Sequence, residues 1–425
     1  MSARPAPVKR KKTVGMLLYG DLAHDSRVRR EATTLAGAGY RIVLVCLAGT
    51  QGTPDLPPGV EVLVRRPGVT AAFPGPSNPY SGRAGSRLSR RVRQARWLVD
   101  YVRNVRSWGR LAVDACGLVD VWHANDLPGL VAIAPGLSKG APVIYDSHEL
   151  FLEAGTAALL PGIVRLFLRG CEGRLVARVA AVVTVNESIA QALRHRYRPT
   201  RVAVVHNAPE RWNPPVQRHQ RLRHAVGLQM DVPVVLYHGG LSPDRGLVPL
   251  AEAMLARGLE RAHLVYLGFG RMTAELIALS LESRFAGRIH VLPAVSPDEL
   301  PEWIASADVS VMPNQPTNAN ERLSTPNKLF ESLAAGIPVV TSDYPERHRI
   351  VRGDPDGPLG ETCDPTDPLS IGEAIRRILD LDPAAYADLR RRCLKAAHER
   401  WNWETEAQKL LALYAEVCSA GVPDR

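Results

Sequence analysis

The sequence predicts an α/β protein of two domains, each with alternating strands and helices around a parallel sheet. Its 425 residues exceed the usual size of a single domain. Apolar runs of strand length recur in both halves, and segments with helical periodicity follow most of them. A polar, arginine-rich stretch at 209–225 separates the halves. We predict one domain over residues 13–207 and a second over 208–398, preceded by a disordered basic tail at 1–12 and followed by a C-terminal segment at 399–425.

The composition is that of an ordinary soluble protein, with 45% hydrophobic and 23% charged residues. No run approaches the ~18 apolar residues of a membrane-spanning helix. The six cysteines lack metal-type spacing, which favours free thiols in a reducing cytoplasm. The net charge of +10 is not accompanied by a zinc-finger, RNP or helix-turn-helix pattern, so we predict no nucleic-acid partner.

The first elements of the chain form a βαβ unit. Residues 13–20 and 41–47 have the apolar character of buried strands, and the segment between them carries Val28, Ala32 and Leu35 at helical spacing. Ligands of parallel sheets bind beyond the carboxyl ends of the strands.

Asp25 and Arg27 stand just after the first strand, so we predict that both lie near a ligand site. The alternative for Asp25 is that it only caps the helix, because Asp is a leading N-cap residue. Ser26 is a further candidate for the cap.

A strand predicted at Glu61–Arg65 is followed by a basic amphipathic helix. Residues 83–110 hold nine arginines against one acid, Asp100, and apolar residues recur there at helical spacing. One interpretation is a peripheral contact with anionic lipid headgroups or a polyprenyl-diphosphate. The other is a helix that buries its apolar stripe against the sheet and exposes its arginines, and we favour this second interpretation.

Two further strands each end in a cluster of His and Asp residues. The first delivers His123, Asn125 and Asp126 to a loop, and the second delivers Asp146, His148 and Glu149 to another. Because the carboxyl ends of parallel strands meet at one edge of a sheet, we expect the two clusters to converge on one site. Strands at 180–185 and 202–205 complete the predicted sheet.

The second domain begins with a strand at 232–238 that runs into a glycine-rich loop. Gly240 allows close backbone approach to a ligand, and Arg245 is a cation placed to clamp a diphosphate. The alternative is a Pro-Asp turn with a surface arginine. A strand at 263–267 ends at Gly268, and a loop there can pass over the same ligand.

The stretch 324–342 reads as loop, helix, turn and strand. Pro326 suits the first turn of a helix, with Ser324 or Thr325 as its cap, and Gly336 ends the helix. Such a helix start attracts a phosphate. Lys328 adds a cation there, and Glu331 is one turn further, where its carboxylate can accept hydrogen bonds from hydroxyl groups.

The run from Pro326 to Val340 resembles the donor-nucleotide motif of glycosyltransferase family 4, whose members are retaining enzymes with the GT-B fold. In that family a glutamate on this helix binds the ribose of a nucleotide-sugar, and Glu331 matches it. The 25–40 stretch resembles the opening of family members, and the clusters around His123 and His148 resemble their acceptor-side loops. The resemblance implies the GT-B arrangement, in which two Rossmann-like βαβ domains face each other across a cleft and the C-terminal helix packs on the first domain.

The resemblance also implies the roles of the candidate residues. The implied catalytic residues are His123, Asp126 and Arg245. The implied donor-binding residues are Gly240, Arg245, Gly268, Pro326, Asn327, Lys328, Leu329 and Glu331. The implied acceptor-side residues are Asp25, Arg27, Asp146, His148 and Glu149. No metal and no cofactor are expected, because GT-B enzymes generally need no metal for catalysis.

The implied function is the retaining transfer of a hexose or related sugar from a nucleotide-diphospho-sugar to a glycan, lipid-linked or small-molecule acceptor. We expect it in the cytoplasm or at the inner membrane face, in cell-envelope or polysaccharide biosynthesis. The alternative is a non-catalytic nucleotide-sugar-binding or scaffold subunit, since Leu323 and Leu241 stand where many members carry a glutamate and a basic residue. An epimerase on the same fold is a third candidate.

Overall fold

The computed structural model of the protein describes residues 10–49, 52, 54–66, 87–134, 140–215 and 220–419. Side chains of the helix that begins at Arg87 are described from Arg96 onward. Most of the predicted tail, much of the predicted loop region before the basic helix, and the first part of that helix therefore lie outside the described residues. The chain separates into two compact units, unit 1 (Met1–Val205 with Ala407–Arg425) and unit 2 (His206–Glu406).

Unit 1 contains a seven-stranded sheet in the order β3-β2-β1-β4-β5-β6-β7, in which every neighbouring pair is parallel. Its strands are β1 (Thr13–Asp21), β2 (Arg41–Leu47), β3 (Val60–Val64), β4 (Val121–Asn125), β5 (Val143–Ser147), β6 (Ala181–Thr184) and β7 (Val202–Val204). Its helices are α1 (Ser26–Gly37), α2 (Arg87–Cys116), α3 (Asp126–Ile133), α4 (Gly162–Val176) and α5 (Glu187–Tyr197).

Unit 2 contains a six-stranded parallel sheet in the order β10-β9-β8-β11-β12-β13. Its strands are β8 (Val234–His238), β9 (His263–Leu267), β10 (Ile289–Leu292), β11 (Val309–Met312), β12 (Val339–Ser342) and β13 (Gly360–Cys363). Its helices are α6 (Arg221–Val226), α7 (Leu247–Ala253), α8 (Thr273–Ser280), α9 (Leu300–Ala305), α10 (Ala319–Leu323), α11 (Asn327–Ala334), α12 (Pro345–Val351), α13 (Pro368–Leu379) and α14 (Pro383–Glu399). The last helix, α15 (Trp403–Ser419), begins in unit 2 and continues in unit 1.

Both sheets have a topological switch point. The strand order reverses between β1 and β4 in unit 1 and between β8 and β11 in unit 2. Ligands of such sheets bind just beyond the carboxyl ends of the strands at this point. Each unit therefore carries one position at which its topology favours a ligand, and the predicted α/β class with two parallel sheets is confirmed.

The structure corrects two predicted loops in unit 1. His123 and Asn125 lie inside β4, and Asp146 lies inside β5, whereas the sequence had been expected to deliver all three to loops. A further helix, α3, starts at Asp126 and had not been predicted. Polar residues can occupy these buried strand positions because each of the three finds a hydrogen-bond partner there.

The helix α11 forms largely as predicted. Leu329, Phe330 and Leu333 are buried in the core of unit 2, and the helix ends just before Gly336. Pro326 is the N-cap residue of α11 in an extended conformation, one position before the helical turn in which it was predicted, and its side chain makes no capping hydrogen bond. The first turn of α11 presents backbone N–H groups that have no partner within the helix and that the Pro326 side chain does not cap.

Among the described helices, none is both long and apolar enough to cross a bilayer.

Candidate functional sites

A buried ion-pair network lies beneath the switch point of unit 1. Arg27, at the start of α1, donates from Nε and Nη2 to the two carboxylate oxygens of Asp146 at 2.8 and 2.9 Å. Its Nη2 also lies 3.1 Å from Glu31 Oε1, and its Nη1 donates to the Val205 carbonyl at 2.6 Å. Arg27 and Asp146 were predicted to face an acceptor, but both are buried. They support the site from below, because a buried charge needs such partners.

His123 belongs to the same buried layer. Its Nε2 lies 3.3 Å from Glu31 Oε2 and 3.7 Å from Asp146 Oδ2, and its Nδ1 is hydrogen-bonded to the Tyr414 hydroxyl at 2.7 Å. Burial opposes the charged imidazole, but Asp146 and Glu31 outweigh it and raise the pKa of His123 to about 9. His123 has no exposed surface in this structure, and its ring lies against the two acids.

Three partly exposed side chains form the surface of this site. The backbone N–H of His148 donates to Asp126 Oδ1 at 2.9 Å, and His148 Nδ1 lies 3.3 Å from Asp126 Oδ2 and 3.9 Å from Asp25 Oδ2. His148 Nε2 lies 3.1 Å from Asp146 Oδ2. Asp25 also caps α1, because its Oδ1 accepts from the Val28 N–H at 3.0 Å. The site thus presents two carboxylates and one imidazole.

The charge state of His148 follows from its neighbours. Burial disfavours its charged form, but Asp126 and Asp146 outweigh that effect and raise the pKa of His148 to about 10. His148 is therefore an imidazolium at neutral pH and a hydrogen-bond donor at both nitrogens. Asp126 adopts a φ of 55°, an uncommon conformation for a residue with a Cβ. Backbone strain of this kind concentrates at functional sites.

Glu31, His123 and Asp146 could be read as a metal site, since they place ligand atoms within 4.8 Å of one another. The guanidinium of Arg27, however, contacts the oxygens of both carboxylates. Arg27 therefore already supplies the positive charge that a metal ion would bring, and the donor set does not fit one.

At the switch point of unit 2, Lys328 and Tyr237 form a chain of contacts that ends in the glycine loop. The Lys328 ammonium donates to the Tyr237 hydroxyl at 2.7 Å and lies 3.9 Å from the centre of its ring. The Tyr237 hydroxyl in turn donates to the Gly240 carbonyl at 2.9 Å. Burial, followed by the charge of Arg245, lowers the pKa of Lys328 well below its usual range.

Arg245 faces an acid that the sequence did not point to. Its Nη1 lies 3.4 and 3.5 Å from the two carboxylate oxygens of Glu321, and Asn314 Nδ2 donates to the same carboxylate at 3.1 Å. Arg245 remains about one-third exposed. Glu321 lies two residues before Leu323, the position of the family glutamate, and α10 brings it to the arginine.

Glu331 is held by the last residue of β8. The His238 Nε2 lies 3.0 Å from Glu331 Oε2, and the Glu331 side chain stays partly exposed. Burial lowers the pKa of His238, so the ring is neutral and its Nε2–H donates to the carboxylate. His238 therefore orients Glu331.

Two glycines of the predicted site differ in what they require. A Cβ at Gly268 would lie 2.0 Å from the Gly239 carbonyl oxygen, so the backbone itself demands glycine there. A Cβ at Gly240 would meet nothing within 4 Å. Nothing in the described part of unit 2 therefore requires glycine at position 240, and the space above it is open.

The remaining predicted residues are placed unevenly. Pro326 and Asn327 lie at the exposed start of α11, whereas Leu329 is fully buried and can reach a ligand only through its backbone. In unit 1, Glu149 lines a neighbouring apolar cavity. The structure thus gathers Gly240, Arg245, Lys328 and Glu331 in unit 2, and the following residues in unit 1: Asp25, Arg27, His123, Asp126, Asp146 and His148.

Sequence reasoning missed four residues that shape the unit 2 site. Tyr237 and His238 end the strand that precedes the glycine loop, and their position was a usable signal. Glu321 gave no clear signal, because it is two residues away from the position of the family glutamate. Arg347 carries no local signal, yet it is fully buried and donates to the Ser324 and Glu321 carbonyls at 3.1 Å each, which fixes the loop before α11.

Two family models match the chain. Residues 26–209 match Glycosyltransferase Family 4, and residues 232–381 match Glycosyl transferases group 1. The D-inositol 3-phosphate glycosyltransferase of Xylanimonas cellulosilytica is 28% identical over 319 residues, which cover 71% of this chain and 72% of that protein. These matches together span most of the chain.

Solved structures share the fold. Sucrose-phosphate synthase from Thermosynechococcus elongatus superposes with a TM-score of 0.70 at 18% identity, covering 97% of this chain and 100% of that one. Anabaena HepE in complex with UDP gives a TM-score of 0.64 at 14% identity, covering 95% and 100%. Together with the two parallel sheets and the two family matches, these similarities show that the chain is a family 4-like glycosyltransferase with the GT-B fold.

Proposed function

We propose that this glycosyltransferase binds a nucleotide-diphospho-sugar in unit 2 and transfers the sugar, with retention at the anomeric carbon, to a hydroxyl of an acceptor bound by unit 1. One observation carries the proposal. Arg245, Lys328 and the first turn of α11 all stand near the carboxyl end of β8, at the switch point of the unit 2 sheet. The guanidinium of Arg245, a lysine that a bound diphosphate would protonate, and the start of a helix at such a position suit a diphosphate.

The phosphates and the ribose of the donor can both be assigned to residues near Arg245 and Lys328. The open space above Gly240 allows the phosphates to approach the backbone. Glu331, oriented by His238, accepts hydrogen bonds from the ribose hydroxyls. The UDP complex of a structural relative supports a nucleotide of this class.

The reaction needs no nucleophile from the protein. The bond between the anomeric carbon and the diphosphate oxygen breaks, and the acceptor oxygen bonds to that carbon on the same face. The acceptor proton passes to the departing phosphate. Arg245 and Lys328 stabilise the charge that develops on the diphosphate. His148, an imidazolium at neutral pH with both ring nitrogens directed at carboxylates, holds Asp126 in place for the acceptor and does not act as a base.

The test is a pair of variants in unit 2. We expect Arg245→Ala and Glu331→Ala each to lower the rate of sugar transfer by about 10²- to 10³-fold, because each removes a contact to the donor. The fold should persist in both. Arg261→Ala and Glu373→Ala are matched controls, since these residues are exposed, lie in unit 2 and make only surface ion pairs.

A thermal-shift screen of nucleotide-sugars identifies the donor first. A ligand at 100 times its dissociation constant stabilises the folded protein by ~2.7 kcal/mol. Unchanged turnover in both variants would contradict the proposal. Tight binding of a nucleotide-sugar with neither transfer nor hydrolysis would instead support a non-catalytic subunit.

A further inference from the structure

Unit 1 contains an apolar cavity beside its polar site. The cavity has a volume of about 300 Å³ and is lined mostly by carbon. Trp97 and Tyr101 of α2, stacked at 5.3 Å, form part of its wall, and Val131 of α3 and Leu160 form other parts. A cavity of this size and lining suits an apolar group of a ligand.

Residues adjacent in sequence line the cavity and the polar site. Leu127, which lines the cavity, follows Asp126, and Glu149, which also lines it, follows His148. One molecule with a polar head and an apolar tail can therefore contact Asp126 and His148 with its head and fill the cavity with its tail. A purely polar sugar acceptor leaves the cavity without an occupant.

The helix α4 carries exposed apolar side chains on its outer face. Ile163, Leu166 and Phe167 are 75%, 61% and 67% exposed. Their spacing of three and four residues places them on one face of the helix. Leu168, the next residue, lines the cavity. Large apolar side chains grouped in this way mark an interaction surface.

The charge around this face is positive. A surface groove brings Leu166 together with Arg169, Arg174, His195 and Arg196. Two described acids lie beneath the groove and are almost buried: Glu153 pairs with Arg169 and Arg196, and Glu172 accepts from Tyr197. The three arginines of the groove outnumber them, so it retains an excess of positive charge. Apolar side chains beside arginines are the combination that binds the surface of an anionic bilayer.

We infer that the acceptor carries a lipid chain: its polar head binds at Asp126 and His148, its chain fills the cavity, and the Ile163–Leu166–Phe167 face of α4 docks on the anionic bilayer from which it is taken. The inference rests on the proposed transfer reaction. It places the membrane contact on α4, whereas the sequence analysis had considered residues 83–110. It assigns five residues of α2 to the cavity wall: Trp97, Leu98, Tyr101, Val102 and Val105.

Vesicle binding tests the docking surface. We expect the protein to sediment with vesicles of phosphatidylcholine and phosphatidylglycerol, and more weakly with phosphatidylcholine alone or in high salt. The triple variant Ile163→Ser, Leu166→Ser and Phe167→Ser should bind at least about tenfold more weakly, because it loses three inserting side chains. Since all three are exposed, the fold should not change.

The matched control replaces three exposed apolar residues elsewhere. Leu118, Met230 and Leu281 are 87%, 60% and 81% exposed, and their triple serine variant should bind vesicles as the unaltered protein does. Equal binding by both triple variants would overturn the inference. The inference would also be overturned if the α4 triple variant bound vesicles normally but showed weaker self-association in sedimentation equilibrium. That result would make the face a contact between two copies of the chain.

Fluorescence quenching tests the cavity. Because Trp97 lines it, a brominated fatty acid should quench part of the tryptophan emission, and Trp97→Phe should remove that part. Val131→Phe, which narrows the cavity, should weaken the quenching while Trp97 stays in place. Quenching that survives unchanged in Trp97→Phe, or is unaffected by Val131→Phe, would contradict a chain in the cavity.

Lipid binding and nucleotide-sugar binding are measured separately, so a failure of this inference can be distinguished from a failure of the proposed function. Nucleotide-sugar stabilisation depends on unit 2 and should be the same in the α4 and cavity variants. A protein that binds nucleotide-sugars but neither vesicles nor brominated chains would retain the proposed transfer and lose the lipid acceptor. One that binds lipid but no nucleotide-sugar would lose the proposed transfer.

Discussion

At the scale of single residues, Lys328 shows how this site departs from the family pattern. Leu241, which stands where many members carry a basic residue, is fully buried in the core of unit 2, and its N–H donates to the Phe269 carbonyl. Leu241 therefore supplies no positive charge to the diphosphate position. The Lys328 ammonium reaches the same glycine loop from α11, within 3.3 Å of where a Cβ on Gly239 would stand. We propose that Lys328 supplies the second cation.

Lys328 predicts a pH dependence of donor binding. Its pKa is lowered by burial and by Arg245, and a bound diphosphate would raise it again. Between these two pKa values, binding takes up one proton, so affinity falls as pH rises, by at most tenfold per pH unit. Calorimetry of nucleotide-sugar binding in buffers of different ionisation enthalpy measures the uptake.

Lys328→Met is the control for this prediction. It removes the titrating group, so proton uptake should vanish and affinity should no longer vary with pH in this range. Proton uptake of the same size in Lys328→Met would show that another group titrates.

At the scale of elements, the loops after β8 and β9 divide structural from ligand-directed glycines. Gly268 packs against the Gly239 carbonyl, whereas Gly240 faces open space. Gly268 is therefore required by the packing of the two loops. Gly240 is required, in our proposal, by the bound ligand.

Alanine at these two positions should separate the two demands. Gly240→Ala should leave the melting temperature unchanged and weaken nucleotide-sugar binding by tenfold or more, because its Cβ would stand where the phosphates lie. Gly268→Ala should lower the melting temperature, because its Cβ overlaps a backbone oxygen. Thermal unfolding with and without ligand measures both. A destabilised Gly240→Ala variant with normal affinity would contradict the assignment.

At the scale of the whole molecule, α15 ties the end of the chain into unit 1. Leu410, Leu413, Tyr414 and Val417 are buried, and the Tyr414 hydroxyl bonds to His123. The helix thus belongs both to the core of unit 1 and to the network beneath its candidate site.

Ending the chain after Glu406 should therefore damage unit 1 selectively. Each large buried side chain contributes about 2–5 kcal/mol, so losing four removes an amount comparable to or greater than the ~5–15 kcal/mol stability of a typical domain. We expect hydrogen-exchange protection to fall throughout unit 1, while nucleotide-sugar binding by unit 2 persists. A chain that ends after Ser419 is the control. Unchanged protection of unit 1 in the shorter chain would show that α15 is dispensable.

The sequence by itself determined the α/β class, most strand and helix positions, and the α11 segment with Lys328 and Glu331, because periodicity and turn residues act over a few neighbouring positions. Tertiary structure decided what depends on residues far apart in the chain. Strand order created the two switch points, and packing buried His123 and Leu241. The pairing of Arg245 with Glu321 and the bracing of the α11 loop by Arg347 likewise join segments that only the folded sheet brings together.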